Sequence, residues 1–177
     1  MRWTVHGERT LYESPWMSLA LADVEVPGGR RFEHHLLRIP RPAAAVVVHD
    51  PGRGVLLLWR HRFITDRWGW EVPAGAVEPG ESPAEAGARE ALEETGWRPG
   101  PLRPLLEFTP VPGAVDHTFH VLAADGAERV GEPHDPGEAE RVEWVPLERV
   151  RELIRAGEVP DGYSLTALLW FLLFEAT

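Results

Sequence analysis

Residues 75–97 read Gly-Ala-Val-Glu-Pro-Gly-Glu-Ser-Pro-Ala-Glu-Ala-Gly-Ala-Arg-Glu-Ala-Leu-Glu-Glu-Thr-Gly-Trp. Glu78-Pro79-Gly80 makes a turn, and Ser82-Pro83-Ala84-Glu85 then supplies a helix start. Ser82 is an N-cap, Pro83 takes the first helical position and Glu85 is the capping-box partner. The spacing predicts a helix to about Thr95, closed by Gly96 in the left-handed region, with Trp97 packing back over the last turn. Ala84, Ala88 and Ala91 form a stripe narrow enough for close approach to a sheet. Glu90 and Glu94 share another face, one turn apart, and Glu93 lies beside them.

Around this helix the chain reads mostly as strands. Upstream, Thr10 to Tyr12, Met17 to Val26 and Arg31 to Arg38 are extended runs, with a Pro27-Gly28-Gly29 turn, and they suggest a small antiparallel sheet. Pro40 and Pro42 break the pattern. The runs Ala43 to Val48 and Val55 to Trp59 then open the main domain, giving an expected division into residues 1–40 and 41–177. Arg60 to Trp70 reads as a polar, aromatic loop and Glu71 to Gly75 as a short extended piece. Downstream, Leu105 to Phe108, Thr118 to Ala123 and Arg141 to Val145 are strand candidates. Pro146 opens an amphipathic helix through Ala156, and Ser164 is read as the cap of a final apolar helix from Leu165 to about Glu175.

Composition narrows the chemistry. The 177 residues hold 44% hydrophobic and 26% charged side chains, the balance of a soluble globular domain rather than a disordered chain. No apolar run approaches the roughly 18 residues of a bilayer span, and no signal-peptide pattern opens the sequence, so a cytoplasmic location is expected. The absence of Cys excludes disulfides, thiolate metal sites and cysteine nucleophiles. All 18 basic residues are Arg, which excludes lysine catalysis. A net charge of −10 argues against non-specific nucleic-acid binding and against a polybasic membrane contact. An anionic substrate would need a bound cation. His34 and His35 point to opposite faces of a strand, and His117 with His120 lacks a ligand pattern, so no zinc site is expected.

The acidic cluster offers a place for such a cation. Glu90, Glu93 and Glu94 can converge with Glu81 of the preceding loop, and four carboxylates repel one another unless a cation lies among them. Oxygen donors without Cys select Mg2+ or Mn2+. Arg89, four residues before Glu93, can form an ion pair that orients the cluster. The fixed positions Gly75, Glu81, Arg89, Glu90, Glu93, Glu94 and Gly96 resemble the Nudix box, the loop-helix-loop signature of hydrolases that cleave nucleoside diphosphates linked to another moiety. Ala91 and Trp97 depart from the bulky aliphatic residues usual at two packing positions. The resemblance implies an α/β fold, the Nudix α/β/α sandwich with a mixed β-sheet, here beside the small N-terminal antiparallel sheet. It also implies Glu90 and Glu94 as principal metal ligands, supported by Glu93, Glu81 and the Ala74 carbonyl. Gly75 would let the backbone approach the site.

The flanks resemble the ADP-ribose pyrophosphatase group. Trp70-Glu71-Val72-Pro73-Ala74-Gly75 is similar to that group's entry into the box, Pro112 stands sixteen residues past Gly96, and 157–172 resembles its last loop and helix. The resemblance implies Mg2+-dependent conversion of ADP-ribose to AMP and ribose 5-phosphate, with a loop acid as general base, Glu138 first and Glu140 next. Arg60 and Arg62 would hold phosphates, Glu71 a ribose hydroxyl, and Trp68 or Trp70 a stacked base. A homodimer formed through the N-terminal sheet is implied as well. Other substrates in the same fold, a nucleoside triphosphate or a dinucleotide, and a non-catalytic nucleotide-sensing domain are the alternatives. Intact Glu90, Glu93 and Glu94 weigh against sensing alone. The related isomerase branch needs a catalytic Cys that the chain lacks.

Overall fold

The computed structural model describes residues 1–134 and 137–176. In chain order the elements are β1 (Thr4–Glu13), β2 (Ser18–Glu25), β3 (Arg31–Arg38), β4 (Ala43–Asp50), β5 (Gly54–Arg62), β6 (Arg67–Glu71), β7 (Ala74–Ala76), α1 (Pro83–Thr95), β8 (Trp97–Pro99), β9 (Leu102–Phe108), β10 (Val115–Asp116), β11 (Phe119–Asp125), β12 (Ala127–Arg129), β13 (Arg141–Val145), α2 (Leu147–Ala156) and α3 (Gly162–Phe174). They form two units, Met1–Pro42 with Thr109–Thr118, and Ala43–Phe108 with Phe119–Thr177. Among the described residues no helix is long and apolar enough to cross a membrane.

The first unit is a sheet of order β1-β2-β3-β10. Its first three strands are antiparallel, while the two-residue β10, distant in sequence, joins parallel to β3 through Val115↔Leu37 and Asp116↔Arg38. Strand β1 is six residues longer at its start than the Thr10–Tyr12 expectation, because its polar residues are exposed throughout and carry no alternation to read.

The second unit is a mixed sheet of order β13-β5-β4-β11-β9, with β6 paired to β5 and β7 to β4. Strand β4 lies parallel to β11 and antiparallel to β5. Its run Ala44-Ala45-Val46-Val47-Val48 is fully buried because both faces are covered. Ala45 and Val47 pack with Val150 and Leu153 of α2 and Ala167, Leu168 and Phe171 of α3. Ala44, on the other face, packs with Ala86 of α1. Helices on both faces of a mixed sheet make the α/β/α sandwich.

The caps of α1 are as the sequence predicts: Ser82 and Glu85 form a complete capping box, Pro83 starts the helix, and Gly96 closes it at φ 73°. Its buried stripe is different. Ala86, Gly87 and Ala91 face inward, and a Cβ on Gly87 would stand 2.8 Å from Val46 Cγ2. The helix therefore lies close over the sheet at Gly87, with Ala84 only partly buried, against the cluster of Ala44, Val77, Ala86 and Leu122.

Two other expectations are corrected. Arg60 to Trp70 is a hairpin, not a loop: β5 and β6 pair through Trp59↔Trp70, Arg60↔Gly69 and Arg62↔Arg67, turning at Asp66 with φ 51°. Trp59 and Trp68 stack on one face, while the charged residues of the other face hide the alternation. Helix α3 is capped by Asp161, whose carboxylate accepts from the Ser164 amide at 2.7 Å. Ser164 is instead a buried acceptor for the Val72 N–H at 3.2 Å. Ser164→Ala leaves that amide without its partner and is expected to cost about 1–3 kcal/mol, read by urea denaturation.

Candidate active site

The site is built where β7 passes under α1. Gly75 pairs with Ala44 of β4, and a Cβ on Gly75 would fall 2.1 Å from the Glu90 carboxyl carbon. The glycine therefore leaves room for Glu90 to lie against the strand. Glu94, one turn further along α1, is 6% exposed. It accepts from the Ala74 N–H at 2.9 Å and from Arg60 Nη1 at 2.7 Å. Burial pushes its carboxyl up to about 7, against the pull of Arg60 and the Ala74 amide. Burial also raises Glu90, with Arg89 working in the opposite direction.

Arg89 organises the outer half. It donates to both carboxylate oxygens of Glu81 at 2.8 and 3.0 Å, to Glu90 at 2.7 Å, to Glu93 at 3.1 Å and to the Ala76 carbonyl at 3.0 Å. The expected Arg89–Glu93 pair is thus one part of a wider network. The Arg89 hydrogen bonds, with a further one from the Glu78 amide, hold Glu81 down at about 2.

Arg60 and Arg62 project from the same face of β5. Arg60 is buried and bridges Glu94 to Glu138, donating to the Glu138 carboxylate at 3.2 Å and to its main-chain carbonyl at 3.0 Å. Arg62 holds Glu71 through both carboxylate oxygens, and this pairing raises the already high Arg62 pKa. Glu71 is 2% exposed. Residues 130–134 are tied to the C-terminal end of α1, with His134 N–H donating to the Glu93 carbonyl at 2.8 Å and Val130 N–H to that of Gly96 at 2.9 Å.

The structure thus brings Glu81, Arg89, Glu90, Glu93, Glu94, Ala74, Arg60, Arg62, Glu71 and Glu138 into one connected region of the second unit. Glu140 is exposed, and its amide bonds to the Trp59 carbonyl at 2.9 Å. Trp70 is in the core, packed at 5.3 Å from Trp59, whereas Trp68 is 48% exposed. Pro112 belongs to the first unit, where it lines a shallow pocket with His34, Leu36 and Arg38. Among the described residues no three acidic or imidazole side chains are already gathered for a metal ion. Arg89 and Arg60 hold these carboxylates in ion pairs. The donor set itself fits a hard divalent cation, being all oxygen, with Glu90 and Glu94 destabilised as anions by burial.

Sequence reasoning missed the burial of Arg60 and its hold on Glu138. The alternation Leu58, Arg60, Arg62 along a strand would have pointed to it, had the segment been read as a hairpin.

Residues 39–168 match the family model of the NUDIX domain. The chain belongs to the Nudix family. Residues 3–37 match a second model, the nucleoside diphosphate sugar hydrolase N-terminal domain. A CMP-5'-(N-acetyl-N-hydroxy-3-aminopropyl)phosphonate hydrolase from Streptomyces rubellomurinus is 45% identical, over 96% of this chain and 82% of the relative. An ADP-ribose pyrophosphatase from Bacillus subtilis is 30% identical, over 96% of this chain and 92% of the relative. A crystal structure of an ADP compounds hydrolase shares the fold, with a TM-score of 0.85 at 21% identity, covering 100% of this chain and 98% of that one. This Nudix protein is a hydrolase of the ADP-ribose pyrophosphatase and nucleoside diphosphate sugar hydrolase type.

Proposed function

We propose that this Nudix hydrolase cleaves the diphosphate bond of a nucleoside diphosphate sugar, ADP-ribose first, releasing AMP and ribose 5-phosphate in the presence of Mg2+ or Mn2+. The observation that carries the reading is the placement of Glu90 over Gly75 beside Glu94, with Glu138 tied to Glu94 through Arg60. Glu90 and Glu94 would hold the cation, with Glu93, Glu81 and the Ala74 carbonyl in support. The chemistry such a cation supplies is neutralisation of the diphosphate and acidification of a bound water. Arg89 keeps Glu81, Glu90 and Glu93 together.

Glu138, with a side chain 51% exposed, is available to accept a proton from the attacking water, and it is preferred to Glu140 because Arg60 holds it beside Glu94. The Arg62 side chain, 52% exposed and paired with Glu71, is a cation open to a phosphate. The exposed ring of Trp68 is the available stacking surface. A homodimer through the N-terminal sheet is part of the same reading.

A second reading takes the same bond-breaking chemistry to a CMP-linked phosphonate. The higher identity to the Streptomyces relative favours it. The choice is tested by kcat/KM for ADP-ribose, a CMP-linked phosphonate, a nucleoside triphosphate and a dinucleotide, all with Mg2+. ADP-ribose is expected to lead by at least about 10-fold, a difference of about 1.4 kcal/mol in transition-state binding. A lead of that size for the phosphonate replaces the first reading with the second. Binding without turnover across the panel removes both and favours nucleotide sensing.

A further inference from the structure

The Arg60 guanidinium is buried among acceptors of the protein instead of lying open to solvent. Its side chain is 6% exposed, and all three of its nitrogens donate within the protein. Nη1 reaches Glu94 Oε1 at 2.7 Å, Nη2 reaches Glu138 Oε2 at 3.2 Å, and Nε reaches the Glu138 main-chain carbonyl at 3.0 Å. One edge of the guanidinium thus grips both the backbone and the side chain of Glu138. The other nitrogen grips the most buried carboxylate of α1.

We infer that Arg60 is a positioning residue for Glu138: it ties the loop that carries this carboxylate to Glu94 and makes no contact with the substrate's phosphates. The inference rests on the reading of Glu138 as the proton acceptor. Its physical basis is the rigid fork of the guanidinium, which fixes two carboxylates at once and carries the positive charge that lets them lie near each other. A lysine ammonium is a point charge without that fork. It would hold one partner and release the other.

The test uses the Mg2+-loaded full chain with Arg60→Lys, Glu138→Gln and the double variant. Arg60→Lys is expected to lower kcat about 10- to 100-fold with KM nearly unchanged. In the Glu138→Gln background the same change should cost no more than about two-fold, since the two residues act as one unit. A raised KM with kcat retained, or losses that multiply in the double variant, would overturn the inference and return Arg60 to a phosphate contact. Glu138 is on the surface, so its variant reports on function and not on folding.

Hydrogen exchange in the substrate-free protein provides a readout independent of turnover. Amides of 137–140 should exchange at least about 10-fold faster in Arg60→Lys, with those of β4 unchanged. Unchanged exchange in 137–140 would overturn the tether. If the unmodified enzyme hydrolyses nothing in the substrate panel, the proposed function fails, while the exchange result still decides the tether.

Discussion

Glu94→Gln is expected to lower Mg2+-dependent turnover by about 1,000-fold, equivalent to about 4 kcal/mol of barrier. The carboxylate is buried, and it sits at the junction of the Ala74 amide, Arg60 and, through Arg60, Glu138. Its burial makes the charge costly and therefore makes a cation welcome. Gln keeps the shape but removes the charge that a divalent ion requires. The fold should survive, because burial already favours the neutral form of this side chain and Arg60 retains Glu138 and, at 4.0 Å, Glu71. Steady-state kinetics beside a thermal melt separate the two effects. A variant that melts normally and retains more than about a tenth of its turnover would remove Glu94 from the metal-holding set.

Gly75→Ala is expected to cost about 100-fold in turnover while changing stability by less than about 1 kcal/mol. The added Cβ would lie 2.1 Å from the carboxyl carbon of Glu90, so one of the two must move. The strand is pinned to β4 by Ala44↔Gly75 and its neighbours, whereas the Glu90 side chain is flexible. Glu90 therefore gives way, moving off the strand and disturbing its 2.7 Å bond to Arg89, and the pair of carboxylates on α1 loses its geometry. Gly75 lies outside the left-handed region, so alanine brings no backbone strain, and it lowers the entropy of the unfolded chain. Equal losses in turnover and stability would show that the clash is absorbed by the strand instead.

The parts of this molecule legible in the sequence are those specified by local chemistry. Ser82, Pro83, Glu85 and Gly96 dictate α1 without help from the rest of the chain, and the acidic spacing along it follows from 3.6 residues per turn. The run from Ala43 to Val48 announces a strand covered on both faces. What remained hidden depends on partners distant in sequence. Arg60 and Glu138 are separated by 78 positions, and a buried arginine looks like a surface arginine until its carboxylates are known. Gly87 reads as a weak point in a helix until Val46 is found beneath it. Ser164 resembles a cap by type, but Asp161, three residues earlier, performs that role and leaves the serine to the Val72 amide. The first unit borrows β10 from beyond residue 108, a connection that no local pattern in 1–40 reveals.

The most direct test of the metal-dependent site on α1 is the initial rate of AMP release from ADP-ribose, and of CMP release from a CMP-linked phosphonate, as Mg2+ is titrated into chelator-treated protein. The unmodified chain should be silent with EDTA and recover fully on adding Mg2+, for whichever substrate it prefers, while Glu94→Gln stays low at every Mg2+ concentration. Turnover that persists undiminished in EDTA, or a Glu94→Gln variant that follows the same titration curve as the unmodified chain, would contradict catalysis by a cation held on Glu90 and Glu94.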